Sequence, residues 1–313
     1  MCAPRLLLLV LAAATLIGVT AHDGHADFNT GDMVDQKSWQ KAEGLLPPEI
    51  LKHYKDGEYI NKFVDWPAAK FNTPPDFKAG SDANVGKFTT SPEGTIIDKA
   101  TGKQPPYVIG FPFATIDEKD PAAAVKILWN NYYRTWYFGN IVAESQINWV
   151  NPKGLERRAD LKASFVYYDG IPQDEMPGAN PDNFLFRNLA LVTGPADLNG
   201  TAALTWRYRD PGKRDSTWSY VPALRRVRAV SPSNRSDGFL GSDTSQDDAQ
   251  FFDAKAEDFE WKLAGQTDQL RISEETNAIR KFEDIHKGEE KEHADCERPD
   301  RRPLKDVEKS SQG

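Results

Sequence analysis

The stretch Trp218-Ser-Tyr220-Val-Pro222-Ala-Leu224-Arg225-Arg226-Val-Arg228 sets aromatic and apolar side chains directly before three arginines. Guanidinium groups grip carboxylates and phosphates through paired hydrogen bonds. Apolar contact area beside such groups has the makings of an amphiphile site, with a tail against Trp218 and Tyr220 and an anionic head at Arg225, Arg226 or Arg228. The alternative is structural: in Arg235-Ser-Asp237-Gly238-Phe-Leu-Gly241-Ser-Asp243, acids such as Asp237 and Asp243 could pair with these arginines and pin a sheet edge.

Other chemistries find little support. Histidine stands only at 22, 25, 53, 286 and 293, which weighs against Ser–His or Cys–His nucleophiles and histidine-rich metal centres. There is no G-x-S-x-G, G-x-G-x-x-G, P-loop, H-E-x-x-H or paired C-x-x-C motif. A glycosidase-type carboxylate pair is recognised by separation in space, which sequence does not reveal. His22, Asp23, His25 and Asp27 read as a polar leader rather than a Cu²⁺ or Zn²⁺ site. Asp243, Asp247, Asp248 and Asp253 lack the spacing and central glycine of an EF-hand and read as loop caps rather than Ca²⁺ ligands. The expectation is a protein that is not an enzyme and holds no cofactor or metal.

The elements that would position an apolar site are legible. Asp120-Pro121 followed by three alanines opens a helix over 121–138. Val125, Leu128, Trp129, Tyr132 and Trp136 recur at three and four, opposite Lys126, Asn130 and Arg134, until Gly139 ends the pattern. Afterwards the period becomes two. Ala159, Leu161, Ala163, Phe165 and Tyr167 alternate with polar residues, as do Ala202, Leu204, Trp206 and Tyr208, so each set shares one face of a strand. Further strands are expected at 141–150, 185–193, 217–222 and 226–230. Strands in succession joined by short turns imply an antiparallel sheet. Earlier in the chain, Pro47-Pro48 opens a short helix containing Ile50, Leu51 and Tyr54, and residues 65–106 read as loop with short strands.

Composition bounds the whole. The 313 residues are 39% hydrophobic and 27% charged, with a formal net charge of −8 and two cysteines. An acidic balance argues against nucleic acid as a partner, and two cysteines rule out a disulfide scaffold. Arg5, the apolar run 6–19 and Val19-Thr-Ala21 read as a signal peptide cleaved after Ala21, so the mature chain is expected in the periplasm with Cys296 its sole thiol. The domain reading is 22–119 helical and loop-rich, 120–272 helix and sheet, and 273–313 a charged, disordered tail, whose last 40 residues carry nine basic and twelve acidic side chains.

Four stretches also carry a family resemblance: Leu45-Leu-Pro-Pro-Glu-Ile-Leu51, Gly110-Phe-Pro-Phe113 with Asp120 to Asn130, Trp218 to Arg228, and Arg235 to Asp243. Here the chain resembles the bacterial exported "domain of unknown function" proteins labelled outer-membrane lipoprotein-sorting proteins, within the lipoprotein carrier (LolA/LolB-like) superfamily. Members of the family are usually longer, with more sheet where this chain has its charged stretch. The resemblance implies an α+β fold in which a curved, incompletely closed antiparallel half-barrel is covered by helices around an apolar cavity. It also implies a carrier or chaperone for a lipid, lipoprotein or other hydrophobic ligand, exchanging with an inner-membrane exporter or an outer-membrane acceptor. The expected cavity liners are Trp129, Tyr133, Trp136, Phe165, Tyr167, Trp206 and Tyr208, with ordinary core packing as the competing reading. The other class of function is a non-catalytic accessory subunit that docks on an envelope export complex.

Overall fold

A computed structural model describes residues 28–64, 73–151, 153–231 and 235–271. The expected signal peptide at 1–21, the leader histidines, Cys296 and the charged stretch 273–313 lie outside these residues. Ten strands are described: β1 Met33–Val34, β2 Asn61–Lys62, β3 Phe88–Thr90, β4 Ile96–Asp98, β5 Val142–Asn151, β6 Gly154–Tyr167, β7 Phe184–Gly194, β8 Ala202–Tyr208, β9 Ser216–Val221 and β10 Arg226–Val230. The α-helices are α1 Pro48–Lys55, α2 Pro75–Ala83 and α3 Ala123–Trp136.

Two compact units divide the described chain. One holds the residues up to 64 together with 264–271, and the other holds 73–263. Residues 73–119 therefore group with α3 and the sheet, not with the segment before them, because α2 and the 105–113 loop supply apolar side chains that only that core can bury. In the smaller unit Val34, Ala42, Leu51 and Tyr54 form a cluster with half-buried Phe28, Trp39, Leu46 and Leu270.

The larger unit is built on a six-stranded antiparallel sheet in the order β10-β9-β8-β7-β6-β5. Every strand pairs with its neighbour in sequence, as short turns dictate, and the sheet is open, with β5 and β10 each paired on one edge only. The fold is α+β. One helix was not expected: α2 lies within the 65–106 stretch read as loop. Pro74-Pro75 starts it just as Pro47-Pro48 starts α1, since proline at the first helical position has no N–H to leave unpaired. Close approach fixes α2 in place. The Ser81 hydroxyl donates to the Phe77 carbonyl at 2.8 Å and accepts the Phe111 N–H at 2.8 Å. Gly110 has φ +78°, and a Cβ there would stand 2.3 Å from the Ser81 nitrogen.

Helix α3 follows its pattern, with one exception. Asp120 accepts the Ala122 N–H at 2.8 Å, Val125, Trp129, Tyr132, Tyr133 and Trp136 are buried, and Gly139, φ +81°, follows the last turn. Asn130 does not join the solvent-facing stripe. Its amide donates to the Phe113 carbonyl at 2.8 Å and accepts the Phe113 N–H at 3.1 Å, which ties the 111–113 segment to the helix.

The sheet departs from expectation in which side chains share a face. Tyr167 pairs with Phe186, and Phe186 pairs with Arg207; these three face α3. Arg187 pairs with Trp206, Leu189 with Leu204, and Leu204 with Trp218, all on the opposite face. The two aromatic sets, Phe165 with Tyr167 and Trp206 with Tyr208, thus lie on opposite sides of one sheet. Pairing register decides this parity, because a slip of one residue turns a whole strand over, and the irregularity between Phe184 and Phe186 is where β7 sets it.

Candidate functional site

The space between α3 and the sheet is filled. Trp129, Tyr132, Tyr133 and Trp136 meet Tyr167, Leu185 and Phe186 in one buried cluster; Trp136 is 1% exposed and lies 6.1 Å, ring centre to ring centre, from Tyr167. Phe165 packs half-buried at the edge of the cluster. The remaining cleft holds about 20 Å³, room for roughly one water molecule. Of the expected cavity liners, Trp129, Tyr133, Trp136, Phe165 and Tyr167 are therefore packed against one another as a core, and Tyr208 is buried on the other face.

Beyond that cluster the inner face holds a second apolar group, Ala159, Leu161 and Val192, and a buried ionic network, although Arg207 and Arg209 stood on the polar side of the strand pattern. Asp169, fully buried, accepts Arg209 Nη1 at 2.7 Å, the Tyr133 hydroxyl at 2.6 Å and the Val108 N–H at 2.8 Å. Burial first, then the nearby Asp169 charge, holds the Tyr133 phenol well above its usual range, so it remains a donor. Arg207 Nη2 donates to Asp215 at 2.8 Å and to the Asp253 carbonyl. Burial works against its charge, but Asp253 and Asp215 outweigh burial and raise its pKa. Arg235 joins Asp215 at 2.9 Å and Asp247 at 2.6 Å. The sheet is thus pinned by Arg207 and Arg235, on Asp215, Asp247 and Asp253; no ion pair of Arg225, Arg226 or Arg228 is seen among the described residues. Asp248 caps Ser245 through its N–H at 2.7 Å, so this acidic loop serves as pairs and caps, and no group that could hold a metal ion is seen among the described residues.

The opposite face of the sheet carries the apolar opening. An open groove of about 390 Å³ runs over β7 to β10, a size that suits a small ligand. Its floor is laid in rows set by register: Leu189, Leu204 and Trp218, then Ala202, Tyr220 and Val227. Trp206 closes one end and meets Trp218 edge-on, ring centres 4.7 Å apart. Val227 is 65% exposed and Leu189 41%, so the surface is apolar yet open to solvent. The structure therefore brings together Trp206, Trp218 and Tyr220 of the expected residues. Arg226 and Arg228 alternate with Val227 along β10 and leave from the other face, exposed, and Arg225 turns the chain at φ 47°.

Leu189, Ala202, Leu204 and Val227 were not foreseen, nor was Arg187 beside them. Phe184, Leu185, Phe186, Leu189, Ala190, Leu191 and Val192 make β7 apolar on both faces, and no alternation there separates floor from core.

No curated protein matches the chain. Among solved structures it is similar to a putative outer membrane lipoprotein-sorting protein domain from Vibrio parahaemolyticus, at 20% identity and a TM-score of 0.33, over 43% of this chain and 50% of that one. It is also similar to a DUF1329 family protein from Desulfovibrio piger, at 26% identity and a TM-score of 0.25, over 35% of this chain and 39% of that one. The chain thus spans half the length or less of these structures. A family model described as "Protein of unknown function (DUF1329)" matches residues 34–295, most of the chain, and to that family the chain belongs.

Proposed function

We propose that this protein is a non-catalytic carrier that binds a hydrophobic ligand on the outer face of its sheet. The observation that supports it is the open groove of about 390 Å³, floored by Leu189, Leu204, Trp206, Trp218, Tyr220 and Val227, on a sheet whose other face is already filled by α3. Soluble chains seldom leave contiguous apolar area facing water unless something binds there. Covering it removes apolar surface from water at about 25 cal/mol per Å². The working compartment is the periplasm, by the signal peptide read at 1–21, and no described helix is long and apolar enough to cross a membrane. In this reading the sheet is a half-barrel of the lipoprotein-carrier kind, and its ligand passes between an inner-membrane exporter and an outer-membrane acceptor.

The test is to purify residues 22–313 from the periplasm without denaturation and identify extracted small molecules by mass spectrometry, beside a Leu204→Glu variant. A hydrophobic compound at near one per chain, lost from the variant, is the expected result; a ligand-free protein that also takes up no added hydrophobe overturns it. The second reading, an accessory subunit of an export complex, is favoured by β10, an edge strand whose residues Arg226 to Ala229 are all exposed. It predicts copurification with a membrane protein that survives Leu204→Glu.

A further inference from the structure

At the Trp206 end of the groove stands a cation with no acid partner among the described residues. Arg187 is the cross-strand partner of Trp206 and precedes Leu189 by two residues on the same face, so it stands just beyond the lining of the groove, with its guanidinium turned toward Tyr168 and Phe184. Its guanidinium carbon lies 5.3 Å from the Tyr168 ring centre and 5.5 Å from that of Phe184. Among the described residues the buried Nε atom has no hydrogen-bond partner and no carboxylate pairs with Arg187. A buried N–H left unpaired is costly, and the aromatic faces offset only part of that cost. A second cation gathers at the same end: Lys213 Nζ sits 3.4 Å from the ring centre of Tyr208, whose ring is 5.3 Å from Phe184. Lys213 also shows no acid partner among the described residues. The contrast with the inner face is direct, since Arg207, Arg209 and Arg235 all hold aspartates.

We infer that the groove takes a single-chain amphiphile with an anionic head, the head held at Arg187, with Lys213 adding positive charge beyond Phe184 and Tyr208, and the tail lying over Leu189, Leu204 and Trp218 toward Tyr220. This rests on the carrier reading above and gives that ligand its polarity. Charge complementarity fixes the occupant: next to one end of the groove stand two cations on an aromatic bed, neither with an acid partner among the described residues, and the floor beyond is apolar. The floor from the Trp206 row to the Ala202 row spans four residues of extended strand, about 13 Å, which suits one alkyl chain and not a folded protein surface.

The experiment titrates the mature chain with dodecanoate, dodecanol and dodecyltrimethylammonium, following tryptophan fluorescence and calorimetry, in the wild type, Arg187→Met, Arg187→Lys and Leu204→Glu. Dodecanoate should bind roughly tenfold or more tightly than dodecanol, and the cationic probe most weakly. Arg187→Met should remove the preference for dodecanoate while keeping dodecanol binding, which also shows the variant is folded. Arg187→Lys should keep part of the preference, and Leu204→Glu should lose both probes. Equal binding of dodecanoate and dodecanol to the wild type overturns this inference and leaves the carrier reading standing. Binding of neither overturns the carrier reading as well. Tight adsorption to intact anionic vesicles without uptake of monomeric dodecanoate, or a dimer abolished by Leu204→Glu, overturns the inference by naming a membrane or a second copy as the occupant.

Discussion

Asp169 binds together three parts of the chain that are distant in sequence: Arg209 at the end of β8, Tyr133 on α3 and Val108 in the loop after β4. Removing the carboxylate leaves the Arg209 guanidinium buried beside the Pro105 carbonyl with no counter-charge. Asp169→Ala is therefore expected to cost about 3–5 kcal/mol, read from urea unfolding, whereas Arg228→Ala, exposed and unpaired among the described residues, should change stability by less than about 0.5 kcal/mol. Glu257 behaves differently. Burial raises its pKa, opposed by its own backbone N–H, by Lys255 and by the Thr95 hydroxyl at 3.3 Å. A carboxyl raised on folding binds its proton more readily in the folded chain, so stability falls as pH rises from the ordinary glutamate range through the raised value. Glu257→Gln should match the wild type at about pH 4 and exceed it at about pH 7.5, measured by denaturant midpoints at each pH; an equal offset at both would show that ionisation is not the cause.

At the scale of elements, the two layers make opposite use of their aromatic residues. Trp129 and Trp136 are buried within α3's cluster, while Trp206 and Trp218 line the open groove. In variants that keep one tryptophan each, acrylamide should quench Trp206 and Trp218 several-fold more efficiently than Trp129 and Trp136. Comparable quenching of all four would contradict the pairing register. Trp136→Ala should cost about 3–5 kcal/mol through the cavity left behind. Much of this arrangement was legible beforehand: the helix in the spacing of Val125, Trp129, Tyr132 and Trp136, and all six sheet strands in their alternation or, for β7, its apolar run between turns, to within a few residues at each end. What alternation does not carry is parity between strands. Phe165 and Tyr167 look equivalent to Trp206 and Tyr208 one strand at a time, and only the Tyr167–Phe186–Arg207 pairing shows that Arg207 faces inward. Of the aspartates that make this tolerable, Asp215 lies across the β8–β9 turn, eight residues from Arg207, but Asp169 and Asp253 lie 40 and 46 residues from their arginines, too far along the chain for local spacing to link them. Arg187 was invisible for the same reason, being a lone charge in a strand apolar on both sides.

At the scale of the molecule, the two compact units have cores of unequal size. Among the described residues the smaller buries Val34, Ala42, Leu45, Leu51 and Tyr54, with Tyr54 donating to Asn61 at 2.7 Å. Calorimetry is expected to show more than one transition, and Tyr54→Ala should lower the first without moving the second; one transition that shifts as a whole would show the units to be cooperative. The order of the sheet has a consequence for a chain that is made, and threaded through any pore, from its N-terminus. Strands β5 to β10 can zip up one after another as each emerges, because each pairs with the one just before it. Yet β8 delivers Arg207 to the interior well ahead of Asp253, 46 residues later, whose carbonyl and carboxylate both hold it. Until those residues arrive Arg207 has only Asp215 as partner, and the guanidinium N–H that the Asp253 carbonyl accepts stays unpaired, so the inner face resists drying. The sheet therefore assembles early and locks late, and a nascent chain halted near residue 230 should remain loose enough to be drawn onward.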